Sequence, residues 1–69
     1  MMNNETIIAR INEALDRAEM GSTPNEAAYY IGQYFAWLDV LRSVDEDLAQ
    51  HIEDEEIDLV SEILLFTTM

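Results

Sequence analysis

The side chains best suited to chemistry in this chain are carboxylates, and one short segment adds a histidine to them. Asp47, His51 and Glu55 are spaced four residues apart, so a helix would place all three on one face. Carboxylate and imidazole groups in such an arrangement can bind a divalent metal ion. A solvated acidic face that includes a histidine accounts for the same pattern, and we favour this second interpretation. We therefore predict no metal ion and no cofactor.

The segment 45–56 matches a calcium-binding EF-hand loop in part. Three acids stand at the first, third and twelfth loop positions, namely Asp45, Asp47 and Glu56. Ala49 takes the fifth position, where a ligand is needed, and Gln50 replaces the glycine that the sixth position requires. We therefore reject calcium binding by this loop.

Catalysis by a nucleophile has little support in the residue types. Cysteine is absent, and the single histidine, His51, has no serine close to it in the sequence. Ser61 could approach His51 only through the fold, and a helical chain of 69 residues rarely forms a catalytic cleft. We expect a protein that binds rather than an enzyme.

The charge of the chain is strongly negative and unevenly distributed. The net charge is -12, and the only basic residues besides histidine are Arg10, Arg17 and Arg42. Residues 1–42 carry six acids and three arginines, whereas residues 43–69 carry nine acids and no arginine or lysine. Nucleic acids and anionic membranes bind cationic surfaces, so we expect neither as a direct partner. A basic protein surface is the expected partner.

The nine C-terminal acids permit two interpretations. They can form a solvated face that keeps a small protein soluble. They can also form a recognition surface, in which helical carboxylates imitate phosphates in a groove that binds nucleic acid. The complete absence of lysine supports this second interpretation. The residues of this candidate surface are Asp45, Glu46, Asp47, Glu53, Asp54, Glu55, Glu56, Asp58 and Glu62.

The resulting functional hypothesis is a small inhibitor that occupies the basic site of a nucleic-acid-binding protein. In size and charge the chain resembles the small acidic proteins that bacteriophages and other mobile elements often encode, including nucleic-acid mimics. The resemblance is one of class, because no motif identifies a family. The alternative hypothesis is a helical adaptor or dimerisation module that binds through the apolar face of the second and fourth predicted helices.

The apolar residues repeat at helical spacing, which predicts an all-α bundle of three to four helices. The expected helices span residues 4–20, 24–42, 44–53 and 55–66. Asn3 or Asn4 can cap the first helix, and Gly21 can end it in the left-handed conformation. Thr23 followed by Pro24 predicts the start of the second helix.

The boundaries after the second helix are less sharply defined by the sequence. Ser43 with Glu46 forms a second capping box, which predicts a break near Ser43. Asp54 could cap a fourth helix. One continuous helix from Val44 to about Phe66 is the alternative.

The second predicted helix is apolar around most of its circumference, which predicts that it is central to the bundle. We expect Phe35 inside the core. Self-association is expected through the strip of small residues Ala28, Gly32 and Ala36, or through the face that carries Tyr30 and Trp37.

A single domain of residues 1–69 must gain stability from a small core. Without cysteine there is no disulfide to support it, so we expect a homodimer. No signal-peptide pattern and no apolar run of membrane-spanning length is present in the sequence. We therefore expect a cytoplasmic protein.

Overall fold

The protein is all-helical, as the sequence predicts. The computed structural model describes residues 3–68, which form α1 (Asn4–Met20), α2 (Pro24–Val44) and α3 (Glu46–Thr67). No strand occurs within these residues. None of the three helices, over the same range, has the length and apolarity of a membrane-spanning segment.

Helix α1 begins at the predicted cap but does not end in the predicted conformation. The Asn3 carboxamide oxygen accepts a hydrogen bond from the Thr6 backbone N–H at 2.8 Å. Gly21 follows the helix with φ -59° and ψ 128°, so the predicted left-handed conformation is wrong. A β-carbon at Gly21 would lie 3.0 Å from the backbone nitrogen of Ala27. A side chain at this position would therefore crowd the backbone of the first turn of α2.

Helix α2 begins as predicted. The Thr23 hydroxyl accepts a hydrogen bond from the Glu26 backbone N–H at 3.1 Å, and Pro24 occupies the first helical position. The Glu26 carboxylate in turn accepts a long, weak hydrogen bond from the Ser22 hydroxyl at 3.5 Å. Because φ of Pro24 is fixed near its helical value, the short connection from α1 leads directly into α2.

The predicted break near Ser43 is present at Asp45, but the predicted capping by Ser43 is wrong, because α2 continues through Ser43 to Val44. The Ser43 hydroxyl donates to the Val40 carbonyl oxygen within α2 at 2.7 Å. Asp45 is the actual cap, and its carboxylate accepts from the Leu48 backbone N–H at 3.1 Å. Both residue types can cap a helix, but Asp45 also places a full negative charge at the positive end of the α3 dipole.

Helix α3 is continuous from Glu46 to Thr67, so the predicted break at Asp54 is wrong and the alternative of one long helix is correct. The Asp54 carboxylate caps no helix and accepts from the Gln50 side-chain amide at 3.0 Å, one turn earlier. Ala49 on one side of the acidic run and Val60 on the other are both buried. A single straight helix allows both to reach the core.

Helix α2 is central, as the sequence predicts. Helices α1 and α3 both pack against α2 and touch each other very little. Tyr30 and Trp37 are half-buried and pack against the core. The buried core residues are Ile7, Ile11, Ala14, Leu15, Ala18, Ala27, Ile31, Tyr34, Leu38, Leu41, Ala49, Val60 and Ile63.

The prediction that Phe35 lies inside the core is wrong. Phe35 is 37% exposed, whereas its neighbour Tyr34 is completely buried. Consecutive side chains on a helix point about 100° apart, so only one of the two can face the centre of the bundle. Phe35 lies instead on the side of α2 that faces α3, with its ring 5.3 Å from that of Tyr34.

Candidate functional site

Four of the predicted acids form one exposed row along α3, and we call this row the acidic stripe. It consists of Asp47, Asp54, Asp58 and Glu62, all of which are exposed. The spacings of seven, four and four residues return to the same helix face. At 1.5 Å of rise per residue, the acidic stripe extends for about 22 Å.

Three further predicted acids lie at the edges of the acidic stripe or at the start of the helix. Glu55 is exposed, and its carboxylate lies 3.1 Å from His51 Nε2. Glu46 is exposed in the first turn of α3. The Asp45 carboxylate caps α3 by accepting a hydrogen bond from the Leu48 backbone N–H, so it already stabilises the fold.

The remaining two acids, Glu53 and Glu56, are half-buried rather than fully exposed. Glu53 Oε2 accepts a hydrogen bond from Arg42 Nη2 at 2.8 Å, which joins α2 to α3. Arg42 Nη1 also lies 3.3 Å from Asp39. Replacing Glu53 would therefore disturb the contact between two helices as well as the charge of the surface.

The hydroxyl of Tyr34 is buried and has no hydrogen-bond partner among residues 3–68. Burial raises the pKa of the Tyr34 phenol, and the negative charges of Glu56 and then Glu53 raise this pKa further. A buried polar group without a partner costs about 1–3 kcal/mol. Helical spacing puts both Tyr34 and Phe35 on the apolar side of α2, so the sequence alone does not show which of the two rings is buried.

The hypothetical metal site receives no support from the geometry. Within residues 3–68, no three histidine, aspartate or glutamate side chains are placed so that they could hold a metal ion. His51 contacts Glu55, and both side chains are more than 60% exposed. Asp47 and Glu55 are eight residues apart, which is about 12 Å along the helix axis, so the three side chains do not surround a common point.

The predicted interface residues lie on two different sides of α2. Ala28, Gly32 and Ala36 are exposed, and a β-carbon at Gly32 would meet no other atom within 4 Å among the described residues. Trp37 borders a small space next to α1, and the Tyr30 ring lies beneath the Arg17 guanidinium, whose central carbon is 5.9 Å from the ring centre. The strip of small residues is therefore open, whereas the two aromatic residues pack towards α1.

Two grooves were not predicted from the sequence. The first, which we call the α2–α3 groove, has a volume of about 150 Å³. Its border includes three large apolar side chains that remain partly exposed: Phe35 (37%), Ile57 (51%) and Leu64 (39%). The completely buried Tyr34 also lines this groove.

The second, which we call the α1–α3 groove, has a volume of about 300 Å³. Ala18 and Ile63 lie at its buried side, and Leu59 and Phe66 contribute further apolar surface. Glu19 of α1 and Glu62 of α3 also line it. The spacing of the acids could have indicated the position of Glu62 on this surface only for a continuous α3, which the sequence analysis kept as the alternative to a break at Asp54.

No protein-family model, curated protein or solved structure matches this chain.

Proposed function

We propose that this chain is a non-enzymatic, cytoplasmic binding protein that inhibits a nucleic-acid-binding protein by occupying its basic site. The acidic stripe is the proposed contact surface. The observation that carries the proposal is the alignment of Asp47, Asp54, Asp58 and Glu62 on one exposed face of a single helix.

The electrostatic environment of the acidic stripe supports this proposal. Helix α3 contains no arginine or lysine, and His51, its one basic side chain, lies beside Glu55. A surface that carries one sign of charge attracts an oppositely charged partner over a distance and accelerates association. The same attraction weakens as salt increases, because mobile ions screen exposed charges.

The rigidity of the acidic stripe also supports binding. Its four carboxylates are attached to a helix of 22 residues that is held at both ends by Ala49 and Ile63 in the core. A surface that is already ordered avoids much of the entropy cost of association. The spacing of the charges is therefore set before the partner arrives.

The proposal is tested by neutralising three of the four carboxylates of the acidic stripe without changing the ion pairs that hold the fold. The triple variant Asp47→Asn/Asp54→Asn/Asp58→Asn is compared with a control that removes the same number of charges from other exposed positions. The control is Glu5→Gln/Asp16→Asn/Glu26→Gln, whose sites lie on α1 and α2. Each tagged protein is used to capture partners at low salt, and captured proteins are identified and assayed for nucleic-acid binding.

We expect the wild type and the control to capture a basic protein and to inhibit its nucleic-acid binding, with release at high salt. The acidic-stripe variant should lose both effects. Equal capture and inhibition by both triple variants would contradict the proposal.

The alternative function is an adaptor or dimerisation module. It is favoured by the partly exposed Phe35, Ile57 and Leu64 around the α2–α3 groove, where Ile57 and Leu64 belong to the region of the fourth predicted helix. The neighbouring Glu53 is neutralised by Arg42, so this surface carries little free charge. A homodimer formed here, or through the open strip of Ala28, Gly32 and Ala36, would persist at high salt, because salt screens the repulsion between two acidic copies.

The alternative is tested by sedimentation velocity over a range of protein concentrations, with Leu64→Ser as the variant. A dimer that persists at high salt and is lost in Leu64→Ser would support it. A monomer at every concentration would contradict self-association. Trp37→Ala is a poor test, because Trp37 packs against the core.

A further inference from the structure

The α1–α3 groove exists because the two outer helices share α2 and touch each other very little. The C-terminal parts of α1 and α3 lie side by side at this point, with Ala18 on one wall and Ile63 on the other. Gly21 lines the groove and has no side chain to fill it. The fold thus leaves a space of about 300 Å³ that opens to the solvent.

The inner surface of this groove is apolar. Ala18 and Ile63 are buried, and Leu59 and Phe66 are partly buried against the core. An apolar cavity of about 150 Å³ can hold a benzene molecule, so about 300 Å³ is sufficient for one large apolar side chain. Such a side chain would gain affinity by removing apolar surface from water.

The edges of the groove are acidic. Glu19 and Glu62 line it from opposite helices, and both are exposed. Neither takes part in an ion pair within residues 3–68. Arg17 of α1 lies 3.0 Å from Glu13 and is also placed over Tyr30. The edge charges are therefore available to an external cation.

The charge of the groove indicates which kind of occupant fits. A second copy of this chain would bring a molecule of net charge -12 against two carboxylates and beside the acidic stripe. A basic partner would meet the same carboxylates with opposite charge. Glu62 belongs to both the groove and the acidic stripe, so one partner can contact both surfaces.

We propose that the α1–α3 groove binds a large apolar side chain of the basic partner, flanked by lysine or arginine residues that meet Glu19 and Glu62. This inference rests on the proposed function. The acidic stripe would attract any basic surface, and the groove would select a surface that also carries a large apolar side chain. Binding energy in interfaces is concentrated in a few anchoring side chains within pockets, and charged residues at the edge mainly provide orientation.

The test uses two short amidated peptides of lysine and alanine that have the same charge. One carries a single central phenylalanine, and the other carries alanine at that position. Binding to ¹⁵N-labelled full-length protein is followed by NMR at low salt. We expect the phenylalanine peptide to bind about tenfold more tightly, with the largest amide shifts at Gly21, Leu59 and Ile63.

Two variants with equal charge change separate the groove from the acidic stripe. Glu19→Gln/Glu62→Gln alters the edges of the groove, whereas Asp47→Asn/Asp54→Asn alters the far half of the acidic stripe. We expect the first variant to weaken binding of the phenylalanine peptide more than the second does, because only the first removes the carboxylates that meet the lysines flanking the groove. Thermal unfolding of both variants checks that the fold is retained.

Equal binding of the two peptides, with amide shifts confined to the acidic stripe, would overturn the proposal that the groove binds an apolar side chain. The proposed function would still stand. An equal loss of affinity for the phenylalanine peptide in both variants would also overturn the proposed groove binding, since overall charge would then explain the result. Failure of both peptides to bind at low salt would count against the groove and the proposed function together.

Discussion

Arg42 Nη2 donates to Glu53 Oε2 at 2.8 Å and joins the last turn of α2 to α3. Both side chains are about one-third exposed. The pair uses one of only three arginines in a chain with fifteen acids. Glu53 therefore stabilises the fold, whereas the acidic stripe on the same helix is available to a partner.

Glu53→Gln is expected to lower the free energy of unfolding by about 1 kcal/mol, because it removes a partly buried ion pair between helices. Urea unfolding at low salt measures the change. Asp39→Asn is the matched control, since Asp39 also contacts Arg42 but is 76% exposed. A loss of stability in Asp39→Asn as large as that in Glu53→Gln would contradict the assigned role.

Asp58→Asn is expected to have the opposite effect. Asp58 lies four residues from both Asp54 and Glu62, and like charges at this spacing destabilise a helix by about 0.2–0.5 kcal/mol per pair. The variant should therefore be slightly more stable than the wild type at low salt. Urea unfolding in high salt should remove the gain, and a gain that persists there would contradict the electrostatic explanation.

Asp45→Ala is expected to destabilise the protein by about 1 kcal/mol, because Asp45 caps α3. Ser43→Ala should change the free energy of unfolding by less than about 0.5 kcal/mol, since Ser43 lies inside α2 and is exposed. Thermal unfolding followed by circular dichroism compares the two variants. The reverse order of effects would place the cap at Ser43.

Gly32→Ala is expected to stabilise the monomer by up to about 1 kcal/mol, because alanine favours the helix and the added methyl group meets no atom. Gly21→Ala should destabilise it by about 1–3 kcal/mol, since the new β-carbon would crowd the backbone of Ala27. Chemical unfolding measures both changes. If α2 packs against a second copy at Gly32, then Gly32→Ala should instead weaken the dimer in sedimentation experiments.

Tyr34 should make the stability of the protein depend on alkaline pH. The pKa of Tyr34 is raised in the folded state above its ordinary value of 10.0. Above that pH the unfolded chain loses the Tyr34 proton while the folded protein keeps it, so the contribution of Tyr34 to stability is constant below about pH 10 and is lost as pH rises further. Urea unfolding at about pH 9 and about pH 11 should show this fall in the wild type.

Tyr34→Phe is the control for this pH dependence. The variant removes a buried hydroxyl that has no partner among residues 3–68, so its stability at neutral pH should be equal or slightly greater. It should lose less stability between the two alkaline conditions than the wild type. An identical loss in both proteins would show that Tyr34 is not responsible.

The sequence predicts those parts of the fold that depend on local chemistry. Thr23 with Pro24 specifies the start of α2, because both the capping hydroxyl and the fixed φ act within one turn. The apolar circumference of α2 correctly predicts its central position, since only a helix with neighbours on two sides can bury such a surface.

The parts that could not be predicted depend on competition between neighbouring residues of similar type. Ser43 and Asp45 are both good caps, and packing determines which one ends α2. Tyr34 and Phe35 are both aromatic, and only one of them can face the core. The division of the acids between the acidic stripe and Glu53 requires α3 to be continuous, which periodicity alone left open.

The sparse contact between α1 and α3 also affects which part of the protein unfolds locally. Helix α3 has only three fully buried residues, Ala49, Val60 and Ile63, and the acidic run lies between the first two. The hairpin of α1 and α2 can therefore persist while α3 detaches as a separate cooperative unit. A cationic partner that binds α3 in its packed position would make this detachment rarer, so binding would raise the local stability of α3.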